Sequence, residues 1–178
     1  MKNTLTTIAS CLVLVATFSA CSVKDDLGDG GATSSFEVKL TDNPAAFSKV
    51  YVDIRSVMVN LTDDAVNGWT TLSTNAGVYD LLTLQNGKDT LLAKGTLAAQ
   101  TVKQIRFVLG TDNSVEIGSL TYPLTIPSGA ESGLKINLNK ELRSALESVT
   151  IDFDAAASVH DEGNGSYTLR PVLSVRIK

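Results

Sequence analysis

Apolar and polar residues alternate along much of the chain after residue 35, and this alternation predicts β-strands. In Phe36–Leu40 every second residue is apolar, with Glu37 and Lys39 between them. Successive side chains of a strand point to opposite faces, so the pattern predicts one buried and one exposed face. Further predicted strands are Val50–Leu61, Trp69–Leu72, Ile105–Leu109, Val115–Ile117, Tyr122–Ile126, Leu134–Leu138, Ile151–Phe153 and Ser166–Ile177.

Two irregularities in this alternation carry structural information. Within Val50–Leu61 the apolar positions change parity at Arg55 and Ser56, which predicts a β-bulge or a bend. Pro171 lies inside the last predicted strand. Because proline cannot donate a ladder hydrogen bond, we expect that strand to lie at an edge or to be interrupted there.

Two segments favour short helices instead. Leu81–Gln85 follows Asp80, a residue type suited to capping a helix N-terminus. In Lys140–Leu146 the apolar residues recur with helical spacing. Many short strands with one or two short helical segments predict an all-β fold, an antiparallel β-sandwich of about seven or eight strands. Residues 36–178 provide enough chain for a single domain with its own core.

The first 20 residues resemble a secretory signal peptide. Lys2 supplies a positive charge, and residues 5–20 are uncharged and mainly apolar. Phe18–Cys21, with the sequence FSAC, resembles the lipobox at which bacterial lipoproteins are cleaved and the cysteine is lipidated. We therefore expect residues 1–20 to be removed and Cys21 to carry a lipid that attaches the protein to a membrane. The alternative is an ordinary signal peptide in which Cys21 has no role.

Residues 21–35 are predicted to form a flexible tether between the lipid and the domain. The segment is rich in aspartate, glycine and serine and has almost nothing to bury. Lys24, Asp25 and Asp26 resemble the signal that sends Bacteroidetes-type lipoproteins to the cell surface, although simple acidity of the tether explains them equally well. The expected location is the bacterial outer membrane, with the domain exposed at the cell surface.

Composition excludes several classes of activity. Cys11 lies in the segment expected to be removed and Cys21 is assigned to the lipid, so neither a disulfide nor a catalytic thiol remains. His160 is the only histidine, which excludes a site built from several histidines. The chain has 15 Lys and Arg against 19 Asp and Glu, a net charge of −4 at pH 7, and so lacks the basic surface that nucleic-acid binding requires. We expect no cofactor and no nucleic-acid partner.

Acidic residues are the remaining candidates for a chemical site. Asp152 and Asp154 are two apart on a predicted strand, so both should point to one face, where they could bind calcium or act as acid and base on a glycoside. Asp161 and Glu162 lie in a glycine-rich loop that could offer oxygen ligands. The alternatives are a solvated strand face for the first pair and a plain hairpin turn for the second.

Aromatic and charged residues on the polar side of one strand form the candidate ligand-binding set. Tyr51, Asp53 and Arg55 point away from the apolar face of their strand. A tyrosine ring there could stack on a sugar while the charged neighbours bond its hydroxyls. Trp69, the only tryptophan, could act in the same way or could belong to the core.

Several motifs, in a fixed order, resemble one family. The segments that carry this resemblance are KLTDNPAAFSKVYVDIRSVMV, YDLLTLQNG, KQIRFVLG, YPLTIPSGAESGLKIN and IDFDAAASVHDEGNGSYTLRPVL. Together they resemble the domain of unknown function numbered 4382, found in bacterial secreted proteins and lipoproteins, over residues 35–174. The resemblance implies an extracytoplasmic β-rich domain and brings no catalytic residues with it.

These observations favour a non-enzymatic, lipid-anchored module that binds a glycan or a protein partner at the cell surface. A second hypothesis is a glycan hydrolase that uses Asp152 and Asp154, which requires both carboxylates to line a cleft. A third is a structural subunit of a surface assembly that shares an edge strand with its neighbour.

Overall fold

Fourteen β-strands make up most of the chain described by the computed structural model, which covers residues 31–64, 66–127, 133–143 and 145–176. A 3-10 helix, Leu81–Leu84, and a one-turn α-helix, α1 (Ala155–Ser158), accompany them. The strands are β1 (Thr33–Thr41), β2 (Lys49–Asn60), β3 (Trp69–Thr71), β4 (Ser73–Thr74), β5 (Gly77–Asp80), β6 (Thr90–Ala98), β7 (Thr101–Leu109), β8 (Ser114–Ile117), β9 (Leu120–Thr125), β10 (Leu134–Glu141), β11 (Leu146–Phe153), β12 (Val159–Gly163), β13 (Ser166–Leu169) and β14 (Leu173–Arg176).

The strands form two sheets. The first has five strands in the order β14-β11-β1-β6-β4. The second has nine, in the order β10-β7-β2-β8-β9-β13-β12, with β3 and β5 also paired to β2. The predicted all-β sandwich is confirmed. It has fourteen strands where about seven or eight were expected, and its sheets are mixed and not purely antiparallel, because β1 pairs with β11 and β9 pairs with β13 in parallel.

Inward-facing residues of the two sheets form one hydrophobic core. Phe36, Val38 and Leu40 of β1 are fully buried, while Glu37 and Lys39 between them are only partly buried. Phe107 of β7 and Phe153 of β11 add large buried rings. Each such side chain stabilises the fold by about 1.5–3 kcal/mol relative to an exposed position. The alternation seen in the sequence therefore corresponds to the inward and outward faces of real strands.

Strand β2 is paired on both sides along nearly its whole length. On one side it pairs first with β8 and then with β7; on the other it pairs with β5 and then with β3. The register with β7 shifts between Ile54 and Ser56, which confirms the predicted bulge. The extra residue there keeps Ile54 and Val57 both in the core although their positions differ in parity.

The last predicted strand, Ser166–Ile177, is interrupted at Pro171. Its first part is β13 in the nine-stranded sheet, and its second part is β14 at the edge of the five-stranded sheet. Pro171 lies in the link between them, where no ladder hydrogen bond is needed. The predicted interruption is confirmed, and it marks the point where the chain crosses between sheets.

Other boundaries differ from the expectations. The predicted helix Lys140–Leu146 is wrong: Lys140 and Glu141 end β10, Leu146 begins β11, and Leu142 is buried at the turn between them. Strand β6 had no counterpart among the predicted strands. Strand β1 begins at Thr33, so the last three residues of the expected tether, 33–35, belong to a sheet.

The short 3-10 helix begins as expected. Asp80 is its N-cap, and the Asp80 Oδ1 accepts a hydrogen bond from the Leu82 N–H over 3.2 Å. Among the residues that the structure describes, no helix has both the length and the apolar character needed to cross a bilayer.

Candidate functional site

Tyr51, Asp53 and Arg55 of β2 lie on the side away from the core, but they do not form an exposed row. Tyr51 is half-buried and the Arg55 side chain is 57% exposed, whereas Asp53 is fully buried. The Arg55 Nε and Nη2 both donate to the Asp53 Oδ2, over 2.9 and 2.6 Å. Asp53 therefore positions Arg55 and is not itself available to a ligand.

The connection between β7 and β8, residues 110–113, closes over Asp53. The Gly110 N–H donates to the Asp53 carbonyl oxygen (2.8 Å), and the Asp53 N–H donates to the Asn113 Oδ1 (2.8 Å). The Asn113 Nδ2 in turn donates to the Gly110 carbonyl oxygen (2.8 Å). A Cβ on residue 110 would overlap the Asp53 carboxylate and the Arg55 guanidinium, so only glycine fits there. Burial of Asp53 thus depends on a loop some 60 residues away, which parity along β2 does not reveal.

Two adjoining cavities lie beside this connection. Their volumes are about 390 and about 500 Å³, within the usual size range of small-ligand sites. Both have Thr111, Asn113 and Pro123 in their walls, so we describe them together as the Pro123 groove. The other lining residues are Leu109, Gly110, Leu124, Thr125 and Ile126 in the smaller cavity and Tyr51, Val78, Asp112, Ser114 and Thr121 in the larger.

The Pro123 groove combines an aromatic ring with hydroxyl groups. Tyr51 forms part of the wall of the larger cavity, together with the hydroxyls of Ser114 and Thr121. Lys49 lies 5.8 Å from the Tyr51 ring centroid, and the pKa of Lys49 is raised, first by its hydrogen bond with Tyr51 and then by Glu116. An aromatic ring and neighbouring hydroxyl groups are suited to recognise a polyhydroxylated ligand, and the Lys49 ammonium lies beside that ring although it lines neither cavity.

Trp69 lies half-buried on the outer face of the nine-stranded sheet and is not part of the core, so the core alternative is wrong. The Arg106 Cζ lies 3.9 Å from the Trp69 ring centroid, and the Lys135 Nζ lies 5.8 Å from it. Trp69 does not line the Pro123 groove, so the structure does not bring it together with Tyr51. Arg106 and Lys135 both occupy polar positions of strands with alternating residues, so the sequence indicates that they face outward. It does not indicate that their strands are neighbours.

Asp152 and Asp154 do not form a solvated pair. Asp152 is buried, with its side chain 3% exposed, and its Oδ2 accepts hydrogen bonds from the Arg176 Nη2 (2.6 Å) and Nε (3.2 Å). Strand β11 ends at Phe153, and Asp154 is the N-cap of α1, where its Oδ1 accepts from the Ala157 N–H over 2.8 Å. The expectation of a solvent-facing stripe fails for Asp152 because β14 pairs with β11 and places Arg176 over the carboxylate.

Asp161 and Glu162 belong to the β12–β13 hairpin. The Asp161 Oδ1 accepts from the Gly163 N–H over 2.8 Å, which stabilises the turn. The Glu162 Oε1 accepts from the Thr168 Oγ1 (2.6 Å) and the Arg170 Nη2 (2.8 Å). Within the described part of the chain, no group of three or more His, Cys, Asp or Glu is placed to hold a metal ion.

A further buried acid, Asp42, lies close to Asp152. Thr41 is the register partner of Asp152 in the parallel ladder, so the two acids lie at the same end of the five-stranded sheet. The Asp42 Oδ1 accepts from the Ala155 N–H (2.9 Å) and its Oδ2 from the Gln85 Nε2 (3.1 Å). Burial raises the pKa of Asp42, and the charge of Asp152 raises it further. These bonds connect β1 to two distant parts of the chain, which is a structural role.

The fold and these surfaces define a mixed-sheet β-sandwich whose acidic residues are largely engaged in structural bonds. Residues 33–171 match the family model described as Domain of unknown function (DUF4382), and the chain belongs to that family. No curated protein and no solved structure matches the chain significantly. Cys21, the expected lipidation site, lies outside the described residues.

Proposed function

We propose that the protein is a non-enzymatic, lipid-anchored module of the cell envelope that binds a glycan in the Pro123 groove. Support for the anchor comes from the sequence: an apolar leader, the FSAC motif ending at Cys21, and a polar tether that stops where β1 begins. The tether would hold the domain away from the membrane on the outer surface of the cell. The ligand is assigned to the groove because of what its walls contain.

The presence of Tyr51 in the wall of a groove rich in hydroxyl groups is the observation that carries the glycan assignment. Sugars present apolar faces that stack on aromatic rings and hydroxyl groups that need polar partners. Thr121, Ser114 and Thr125 offer hydroxyls along the groove, and Asp112 offers a carboxylate. Arg55, fixed by the buried Asp53, lies directly over Gly110 in the wall of the smaller cavity.

We propose no catalytic activity, because the two carboxylates that a hydrolase would use are engaged in structural contacts. Asp152 is paired with Arg176 and Asp154 caps a helix, so both carboxylates already accept structural hydrogen bonds. Neither residue lines the Pro123 groove. A hydrolase needs one carboxyl group as acid and a second as base or nucleophile at the same cleft.

Binding can be tested with the full chain in detergent against cello-, xylo- and manno-oligosaccharides by titration calorimetry. Tyr51→Ala should weaken binding about tenfold or more, because loss of an aromatic stacking partner costs on the order of 1–3 kcal/mol. Thr125→Val, which removes one hydroxyl at nearly constant shape, should weaken it less. Trp69→Ala, an aromatic deletion outside the groove, is the matched control. Equal losses for Tyr51→Ala and Trp69→Ala, or no binding of any of the oligosaccharides, would refute the groove assignment.

The anchor can be tested separately. In cells supplied with a labelled fatty acid, the wild-type chain should incorporate label and fractionate with the membrane, whereas Cys21→Ser should do neither. Protease treatment of intact cells should digest the domain if it faces outward. A Cys21→Ser chain that still carries label would exclude Cys21 as the lipid site.

A further inference from the structure

The outer face of the nine-stranded sheet carries two parallel rows of side chains where β3, β2, β7 and β10 lie next to each other. Residues paired across a ladder share a face, so the registers define the rows. The first row is Trp69, Asn60, Gln104 and Asn137, and the second is Thr71, Met58, Arg106 and Lys135. Successive residues on one face are separated by about 7 Å along a strand, so one extended ligand can touch both rows.

Arg106 and Lys135 form a like-charge pair directly across the β7–β10 ladder. Like charges in this position are destabilising unless something neutralises them. Eight of the twelve lysines and arginines in the described ranges make a salt bridge with a described carboxylate; Arg106 and Lys135 do not. On this face both cations lie within 6 Å of the centroid of the Trp69 ring.

Arg106 is held in place by its surroundings. Its aliphatic stem packs where a Cβ on Gly133 would otherwise lie, and its guanidinium stacks on Trp69. The Arg106 Nε is buried without a hydrogen-bond partner among the described residues. A stacked, positioned guanidinium beside an exposed ammonium is a suitable site for a carboxylate or sulfate group.

Amide groups continue this surface along the strands. The Gln104 Nε2 donates to the Asn137 Oδ1 over 2.8 Å, which fixes both amides on the outer face. Beside them lies a polar cavity of about 200 Å³, lined by Asn60, Thr62, Asp63, Lys103, Gln104, Asn137 and Asn139. Amides placed next to a cationic pair match the alternation of hydroxyl and acid groups along an acidic polysaccharide.

We propose that this face, comprising the cation pair Arg106 and Lys135 and the amide pair Gln104 and Asn137, binds an acidic polysaccharide. The acid group of the polymer, a carboxylate or a sulfate, lies between the two cations, and its neighbouring hydroxyls bond the amides. The net charge of −4 restricts attraction of a polyanion to this local patch, which disfavours a densely charged nucleic acid. The site is separate from the Pro123 groove and does not depend on it.

The test uses the full chain in detergent with two matched polymer pairs: polygalacturonate with its methyl ester, and dextran sulfate with dextran. We expect at least one acidic polymer to bind more tightly than its neutral counterpart, with an affinity that falls as salt rises. Lys135→Gln should weaken that binding about tenfold or more, since one charge-assisted contact is lost. Lys94→Gln, the same change at an exposed lysine of β6 in the other sheet, should leave it unchanged.

Two further measurements separate the alternatives. Tyr51→Ala should retain binding of the acidic polymer, which distinguishes this face from the Pro123 groove. Inorganic sulfate alone should bind much more weakly than the polymer. The proposal is overturned if neither acidic polymer binds better than its neutral form, if Lys135→Gln and Lys94→Gln behave alike, or if free sulfate reproduces the affinity of the polymer.

Discussion

The N–H of Gly110 donates to the carbonyl oxygen of Asp53 across 2.8 Å, and this close approach brings residue 110 against the Asp53 carboxylate. Asp53 is fully buried and bonded to Arg55, so it has no free space to move into. The position therefore requires glycine because of side-chain overlap, although its backbone conformation is open to other residues.

Gly110→Ala should destabilise the protein by about 1–3 kcal/mol, the usual cost of inserting an atom into a packed site. Chemical denaturation of the full chain measures this change in the free energy of unfolding. Gly77→Ala is the control, because a Cβ at Gly77 meets nothing within 4 Å. Its effect should stay within about 0.5 kcal/mol or slightly stabilise. If Gly110→Ala and Gly77→Ala lose equal free energy of unfolding, the overlap between a Cβ at residue 110 and the Asp53 carboxylate is not the cause.

Arg176→Met should cost at least about 2 kcal/mol of stability, because it leaves the buried Asp152 carboxylate without its cation. The Asp152 Oδ1 already has no hydrogen-bond partner among the described residues, so no other group is placed to compensate. Arg170→Met removes an exposed arginine from its pair with Glu162 and should cost no more than about 1 kcal/mol. If the denaturation midpoints fall equally for both variants, the buried Asp152–Arg176 pair contributes no more to stability than the exposed Glu162–Arg170 pair.

The buried Asp42 should make stability depend on pH in a defined direction. Its pKa is raised, chiefly by burial, so the folded state holds the proton more tightly than the unfolded chain. Stability supplied by protonated Asp42 is therefore lost as the pH rises from its ordinary value of 3.8 through the raised pKa. Across that interval the wild type should lose free energy of unfolding relative to Asp42→Asn, which cannot titrate. Urea unfolding at a series of pH values measures the free energy of unfolding of both proteins. If the wild-type value minus the Asp42→Asn value stays constant or rises with pH, the raised pKa is refuted.

Trp69 fluorescence should report positive potential on the outer face of the nine-stranded sheet. Trp69 is the only tryptophan, so the signal has one source. Because Arg106 and Lys135 lie within 6 Å of its ring, iodide should quench the emission more effectively than caesium despite the negative net charge. Lys135→Gln should reduce quenching by iodide, and Lys94→Gln should not. Better quenching by caesium than by iodide in the wild type would disprove the local potential.

Strands in which apolar and polar residues alternate could be predicted from the sequence more readily than those in which apolar residues are consecutive. Phe36–Leu40 and Ile105–Leu109 are correct because one face is buried and the other is not. Strand β6 was missed because Leu91, Leu92 and Ala93 are consecutive and break the period. In Lys140–Leu146 a helix and a strand–turn–strand place the apolar residues equally well, and only long-range pairing decides between them.

The candidate site shows the same limit at the level of single residues. Parity correctly placed Tyr51, Asp53 and Arg55 away from the core. It did not reveal that residues 110–113 cover Asp53, or that β14 brings Arg176 to Asp152. Both effects come from contacts between distant segments, and a single sequence carries no record of which segments meet. The pairing of Arg106 with Lys135 across β7 and β10 is of the same kind.

Strand β1 lies between β6 and β11 in the five-stranded sheet, and it is the first strand of the described chain. A mechanical pull along β1 from its N-terminal end must shear both ladders together, so many hydrogen bonds share the force at once. A pull along β14, an edge strand with one neighbour, shears only its single ladder with β11, so fewer hydrogen bonds share the force. In an optical trap the domain should therefore unfold at higher force when it is held at residue 31 and pulled along β1 than when it is held at β14.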